Sequence, residues 1–256
     1  MRDRIVRKLN QYAEKEKIHI LLAVESGSRA WGMASPDSDY DIRAVYVRPL
    51  GHYLRIAESA DTLDVMEDDW FDLGCWDIRK ALRLLRKSNA VLLEWLNSPL
   101  VYQKDDAFVR DLKALVPQYA QTAPLLNHYR GIAGNALKSL DLHQAVPLKK
   151  WFYVLRPLLA ARWAVQRGGV PPMTLAELME GWRTDVLGEI RDLLAVKARQ
   201  GEAYRHILPP VLVGATLDLH REVAALSAPA VRETDEEPLN GLFRATLQRM
   251  GADFAD

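Results

Sequence analysis

One cysteine, Cys75, stands among 256 residues. An intramolecular disulfide and a paired-cysteine metal site are therefore excluded, and a reducing compartment is the natural expectation. Long apolar runs are missing as well. The most apolar stretch, Trp151 to Val165, is broken by Arg156, Pro157 and Arg162, which leaves it too short and too charged to span a bilayer. No apolar signal-peptide core follows Met1-Arg2-Asp3-Arg4, so the expected location is cytoplasmic, with no membrane partner. Excess charge of one sign is lacking too: 34 basic side chains balance 34 acidic ones. That argues against a surface that clamps nucleic acid all over, but not against a local basic patch. The six histidines (His19, His52, His128, His143, His206, His220) show no metal-ligand spacing such as His-Glu-x-x-His.

What is present is an ordinary globular composition, 49% hydrophobic and 27% charged, in a chain long enough for one or two domains. The charges are unevenly placed. Glu58 to Asp77 holds eight acidic residues (Glu58, Asp61, Asp64, Glu67, Asp68, Asp69, Asp72, Asp77) and no Lys or Arg, whereas His128 to Arg167 holds seven basic residues and one acid, Asp141. An acidic and a basic segment in one chain suit a metal with a polyphosphate; two solvated surfaces are the plainer alternative.

Ile5, Leu9, Tyr12 and Ala13 recur at helical spacing and predict an amphipathic helix over 2–17. His19 to Val24 reads as a buried strand, Glu25 to Asp39 as a loop or short helical turn, and Tyr40 to Val47 as a strand. Strands are also expected at Thr62–Met66 and Trp70–Trp76, with a turn at Glu67-Asp68-Asp69. After Asp77 the pattern becomes helical. One long or two short helices fit 78–97, and others fit near 105–121, 124–143, 147–167, 174–181, 184–199, 211–227 and 239–250, punctuated by prolines. The expected organisation is α+β: a domain with a mixed sheet over residues 1–100, then an all-helical domain over 101–256.

The chemistry concentrates in Glu25 to Arg43. Asp39 and Asp41 stand two apart at the mouth of a strand, so their carboxylates project together. Unpaired, they repel and raise each other's pKa; a divalent cation gives both a hard partner. Upstream, Gly27-Ser28 follows a buried strand, and a glycine there lets the backbone approach a ligand such as a phosphate. Carboxylate pair, metal and phosphate-binding turn together fit phosphoryl or nucleotidyl transfer. A P-loop is excluded, because Met33 and Ala34 stand where Lys and Ser/Thr are required. The bland alternative is an Asp-rich turn, Asp37-Ser38-Asp39, that caps a helix.

Gly27-Ser28, ten intervening residues and Asp39-Tyr40-Asp41-Ile42 resemble the signature of the DNA polymerase β nucleotidyltransferase superfamily. More narrowly, three stretches resemble the bacterial and phage RNA-repair-associated, RNA-ligase-associated polymerase-like proteins. They are Gly27-Ser-Arg-Ala-Trp-Gly32 continuing into Ser38 to Arg43; Lys87-Ser88-Asn89 leading to Glu94-Trp95-Leu96-Asn97-Ser98-Pro99; and Lys149-Lys150-Trp151-Phe152-Tyr153 leading to Arg156-Pro157. The resemblance spans residues 20–165 and implies a polymerase β-type fold for the first domain. The site is expected in the cleft between the two domains, with the helical domain contributing, since clefts at domain junctions are favoured ligand sites. The resemblance implies that Gly27 and Ser28 bind an NTP's triphosphate, and that Asp39 and Asp41 hold two Mg²⁺ ions (Mn²⁺ as the alternative) about 3.5–4 Å apart. A third carboxylate is implied from a later strand; Asp72 is the choice, with Asp64 and Asp77 as alternatives. The implied reaction transfers a nucleoside monophosphate to a hydroxyl, with an RNA 3′ end as favoured acceptor. A protein or small-molecule acceptor, or a silent nucleotide- or RNA-binding module, are the other classes.

Cations for the nucleotide are sought on helix 147–167, where Lys149, Tyr153, Arg156, Trp163 and Arg167 share a face. Lys149, Lys150, Tyr153 and Arg156 are assigned to nucleotide binding, together with Arg29. Arg29 and Arg43 flank the acidic motif and suit either phosphate contact or neutralisation of the carboxylates. Pro157 is expected to kink or break the helix. A second basic face, Arg79, Lys80, Arg83, Arg86 and Lys87, reads as a solvated surface, with RNA contact as the alternative. Cys75, in an apolar strand, is expected buried and inert.

Overall fold

The structure, a computed structural model, describes residues 1–57, 59–67 and 70–251. In chain order the elements are α1 (Arg2–Glu16), β1 (His19–Glu25), α2 (Gly27–Ala30), β2 (Tyr40–Val47), α3 (Leu50–Tyr53), β3 (Thr62–Glu67) and β4 (Phe71–Asp77). Then follow α4 (Ile78–Arg86), α5 (Ala90–Leu96), β5 (Val101–Lys104), α6 (Asp106–Tyr119), α7 (Thr122–Lys138), β6 (Ala145–Pro147) and α8 (Leu148–Arg167). The last are α9 (Leu175–Leu178), α10 (Leu187–Lys197), β7 (Arg205–Ile207), α11 (Pro210–Ala225) and α12 (Glu237–Met250). Among the described residues no helix is long and apolar enough to cross a membrane.

The chain divides into two compact units. One comprises Met1–Ser26, Asp39–Ala120 and the segment from Glu233 onward; the other comprises Gly27–Ser38 and Gln121–Arg232. Residue 100, the expected domain boundary, thus falls inside the first unit, which also takes in the last helix.

The first unit is built on a five-stranded mixed sheet of order β3-β4-β2-β1-β5, in which β2 and β4 run parallel and the other neighbours antiparallel. One face carries Ile20, Ala23, Ile42, Ala44, Tyr46, Phe71, Leu73 and Cys75, and α1 buries Ile5 and Leu9 against it. At about 1.5–3 kcal/mol for each large side chain, that layer holds α1 on the sheet far more firmly than helix propensity does. The alternate positions, including Asp41, Arg43, Asp72 and Gly74, belong to the other face. There Trp76 meets Trp95 of α5 with ring centroids 3.9 Å apart.

Residues 78–97 form two helices. Asp77 caps α4 by accepting the Arg79 N–H at 2.8 Å, and Asn89 caps α5 by accepting that of Leu92 at 3.0 Å. Ser88 between them takes φ 52° and donates its hydroxyl to the Tyr119 carbonyl. The expected turn at Glu67-Asp68-Asp69 rests on Asp68 and Asp69, which lie outside the described residues, as does Glu58 of the acidic segment.

In the second unit α7 and α11 pack on α8, whose Trp151, Phe152, Leu155, Leu158 and Leu159 are all 1% exposed or less. The helix runs unbroken through Pro157, so of the kink or break expected there the break is absent. A proline costs a helix interior about 3 kcal/mol, and burying these five apolar side chains at about 1.5–3 kcal/mol each more than offsets it. The unit is helical except for the three-residue strands β6 and β7, which pair antiparallel.

Candidate active site

In the first unit, the acidic motif begins where β1 ends. Glu25 is fully buried. Its Oε1 accepts the backbone N–H of Asp41 at 2.9 Å, its Oε2 accepts the Tyr102 hydroxyl, and its own carbonyl accepts Ser98 Oγ at 2.7 Å. The Ser26 N–H donates to the Asp41 carbonyl at 2.7 Å. A carboxylate taken out of water survives only when its lone pairs are met; here meeting them fixes the backbone that carries Asp41.

Asp41 and Asp72 are register partners in the parallel pair β2–β4, so both carboxylates stand side by side on one sheet face. Arg43, two residues beyond Asp41, shares that face. Its Nη2 donates to Asp72 Oδ2 at 2.7 Å and to Asp41 Oδ1 at 3.3 Å, and its Nη1 donates to the Asp72 carbonyl at 3.1 Å. One guanidinium thus bridges the pair and offsets part of its double negative charge. Gly74 makes room for it: a Cβ there would lie 3.3 Å from Arg43 Cδ and 3.4 Å from Asp64 Oδ1. Asp39 sits one residue before β2, exposed to solvent.

Of the three carboxylates considered as partner for Asp41, only Asp72 shares its register. Asp77 lies five residues further along β4, about 16 Å at strand rise, where it caps α4 and accepts the Tyr53 hydroxyl at 2.8 Å. Burial and the Asp77 charge push the Tyr53 phenol upward. Asp64, on β3, faces Gly74. Among the described residues no group of three or more His, Cys, Asp or Glu is gathered to hold a metal ion. Asp41 and Asp72 nonetheless offer the hard oxygen donors that Mg²⁺ and Mn²⁺ prefer. Mg²⁺ commonly takes one or two carboxylates and completes its shell with water and substrate phosphates.

The Gly-Ser turn belongs to the second unit. Gly27 takes φ 59°, in the left-handed region where a side chain is strained. Its carbonyl accepts the Trp31 N–H at 3.0 Å, and the Ser28 carbonyl that of Met33 at 2.8 Å. Ser28 is 4% exposed, and among the described residues its hydroxyl has no hydrogen-bond partner. Arg29 donates to the Ser38 carbonyl at 2.6 Å.

The cationic residues expected on α8 are largely engaged within their own unit. Arg156 is 2% exposed; its Nε and Nη2 donate to the Met173 carbonyl at 3.1 and 2.9 Å, and it lies 4.3 Å over the Trp31 ring. Tyr153 meets Trp31 edge-on at 5.2 Å. Lys149 pairs with Glu202, while Lys150 is exposed. Lys149, Tyr153 and Arg156 do not form a solvent-facing stripe, because α8 is buried over most of its length.

Two side chains that sequence spacing does not single out complete this network. Glu202 Oε1 accepts Ser38 Oγ at 2.9 Å, and its N–H donates to both Asp37 oxygens at 3.0 and 3.1 Å. Lys197, 3% exposed, donates to Ser35 Oγ at 2.8 Å. Burial pulls the Lys197 ammonium below its ordinary pKa, Lys149 adds to the effect, and Glu202 and Asp37 oppose it. Gly201 lies against them: a Cβ there would stand 2.9 Å from Asp37 Oδ2 and push that carboxylate aside.

A mixed sheet bearing an in-register carboxylate pair, with a Gly-Ser turn following β1 in sequence, defines a polymerase β-type nucleotidyltransferase. Residues 1–245 match the model of the RNA repair pathway DNA polymerase beta family, and the chain belongs to that family. It is 38% identical over 204 residues, 79% of this chain and 78% of the other, to a protein of Bacillus subtilis (strain 168) described as uncharacterized protein YcgL. Among solved structures it is similar to a nucleotidyltransferase-like protein from Exiguobacterium sibiricum 255-15, at 13% identity and a TM-score of 0.29, over 95% of this chain and 74% of that one.

Proposed function

We propose that this protein transfers a nucleoside monophosphate from an NTP to the 3′ hydroxyl of an RNA, in a reducing cytoplasm, with Mg²⁺ or Mn²⁺ as cofactor. The observation that carries the reading is the pairing of Asp41 with Asp72 on one sheet face under a single guanidinium. Two carboxylates in register are costly unless a cation is meant to sit with them. RNA as acceptor is supported by the description of the family.

In this reading Asp39, Asp41 and Asp72 are the metal ligands. Bound there, Mg²⁺ supplies positive charge to the triphosphate and lowers the pKa of the attacking hydroxyl. Arg43 bridges the two carboxylates and offsets part of their mutual repulsion, and Glu25 holds the Asp41 backbone. The Ser28 hydroxyl donates to a triphosphate oxygen, with the Gly27 turn beside it. Lys150 and Tyr153 serve the nucleotide, whereas Arg29, Lys149 and Arg156 brace the segment 27–38 through its Ser38 and Trp31 contacts. The bond from the acceptor oxygen to the α-phosphorus forms, the bond to the bridging oxygen breaks, and pyrophosphate leaves.

Arg43 also favours a second reading, a silent nucleotide- or RNA-binding module, because it already bridges the pair where a metal ion would sit. Label transfer separates the two. Each α-labelled NTP is incubated with Mg²⁺ and mixed small RNAs, using wild type and Asp39→Ala/Asp41→Ala. Label entering RNA with wild type alone is the expected outcome. No label in RNA from a folded wild-type protein sinks the RNA acceptor; label in a protein or small molecule instead redirects the assignment to those acceptors.

A further inference from the structure

We propose a second, non-catalytic nucleic-acid site: an arginine-lined groove in the first unit that holds the phosphodiester backbone of an RNA strand. The proposal rests on the RNA reading above for its ligand class and on separate residues for its evidence. A cavity of about 290 Å³ is lined by Arg79, Arg83 and Arg86 of α4 and by Leu239 and Phe243 of α12. A second cavity, of about 110 Å³, shares Arg79 and Arg83 and adds His52, Tyr53 and Arg55. Together the walls carry four guanidiniums (Arg55, Arg79, Arg83, Arg86) against two carboxylates, Asp61 and Glu236.

The partners of these groups matter more than their number. Asp61 is already paired with Lys80 at 3.0 Å. Arg86 is paired with Glu236, but both are about half exposed, and such a pair is worth at most about 1 kcal/mol, so a phosphate can displace it. Arg79 spreads over the Tyr53 ring at 4.7 Å and reaches Asp77 only at 3.8 Å. Arg55 and Arg83 make no hydrogen bond or ion pair among the described residues. Free guanidiniums, rather than ammoniums, are suited to the bidentate geometry of phosphate oxygens.

Spacing points the same way. Arg79, Arg83 and Arg86 follow one another at i, i+4 and i+7, one per helical turn along about 10 Å of axis. At roughly 3.4 Å per nucleotide in a duplex strand, three phosphates fit that length. The rings of Tyr53 and Phe243, in edge contact at 5.1 Å, and the apolar floor of Leu82 and Leu239 give sugars and bases something to lie against. An RNA strand offers phosphates to the guanidiniums at a regular spacing and bases to the rings, so we assign the groove to RNA. Arg79 begins two residues beyond the end of β4, whose opposite end bears Asp72.

The test uses the full chain and a 5′-fluorescein-labelled 20-nucleotide single-stranded RNA, in EDTA without NTP, with fluorescence anisotropy read across salt. Arg55→Ala/Arg83→Ala is expected to weaken binding about tenfold or more and to lower the salt slope by about 1.4, at about 0.7 per lost phosphate contact. Arg55→Lys/Arg83→Lys should restore the salt slope, which counts charges, but only part of the affinity, because an ammonium lacks the bidentate fork. Asp39→Ala/Asp41→Ala should bind RNA as wild type does while losing label transfer. If RNA binding persists through the groove but wild type transfers no label, the catalytic reading falls and the groove stands. Unchanged affinity and slope in the double alanine variant overturn the groove, as does a wild type that ignores RNA but binds polyglutamate through Arg83.

Discussion

At Arg43, one guanidinium serves two carboxylates that a cation is proposed to share. Replacing Arg43 takes away the guanidinium that bridges Asp41 and Asp72. The three side chains are 23% to 34% exposed, so solvent screens the loss to about 1 kcal/mol. In EDTA, Arg43→Gln should melt roughly 2–4 °C below wild type. Millimolar Mg²⁺ should then raise the variant's melting temperature more than the wild type's, because the ion no longer competes with a guanidinium. Equal shifts for both proteins, read by differential scanning fluorimetry, would remove the pair as a cation site. The Asp-x-Asp motif was legible in the sequence because strand alternation makes i and i+2 neighbours. Asp72 was legible only as the acid of a strand, since its partnership with Asp41 depends on register. Glu202 and Lys197 were not legible at all: their bonds to Ser38 and Ser35 span 164 and 162 residues, and no local pattern marks such contacts.

Among the elements, those with strong internal periodicity match their expectation. Tyr40–Val47 is a strand over the residues its alternation picks out, and β1 extends one residue past Val24. The strand β5 was hidden because its four residues lack a fully buried position and exist as a strand through pairing with β1. The three-residue β6 and β7 are likewise products of pairing rather than propensity. The helix α12 carries a separate expectation. It buries Leu239, Leu242, Leu247 and Met250 within the first unit, and Tyr119 donates to the Asp235 carbonyl at 2.6 Å just before it. Four such side chains are worth about 6–12 kcal/mol, as much as most domains have in total. A chain ending at Arg232 should therefore lose protection in the first unit, with α4 and α6 exchanging amide protons fast. Protection of those helices at wild-type levels would show that α12 is an accessory.

Over the whole molecule, buried acids make alkaline pH the weak side. Burial pushes the Cys75 thiol up to about 12, and Tyr12 and Tyr46 to about 12 as well. These are acids that the fold keeps protonated. The unfolded chain loses the Cys75 proton first, near its ordinary pKa, so the native state binds more protons from there upward. Stability therefore falls as pH rises toward 12, by roughly 3–4 kcal/mol for Cys75 alone. Urea midpoints should drop between pH 8.5 and 10.5, and Cys75→Ala should flatten that drop; an unchanged slope would mean that the thiol ionises freely in the native state.

The first unit also closes late. Its strands and early helices are complete by Ala120, yet α12 lies beyond the inserted second unit. At about 5–20 residues per second of synthesis, roughly 6–26 s separate the emergence of α6 from that of α12. During translation the sheet must wait with the apolar side of α4 and α6 uncovered, so this protein should depend on ribosome-associated chaperones more than its length suggests.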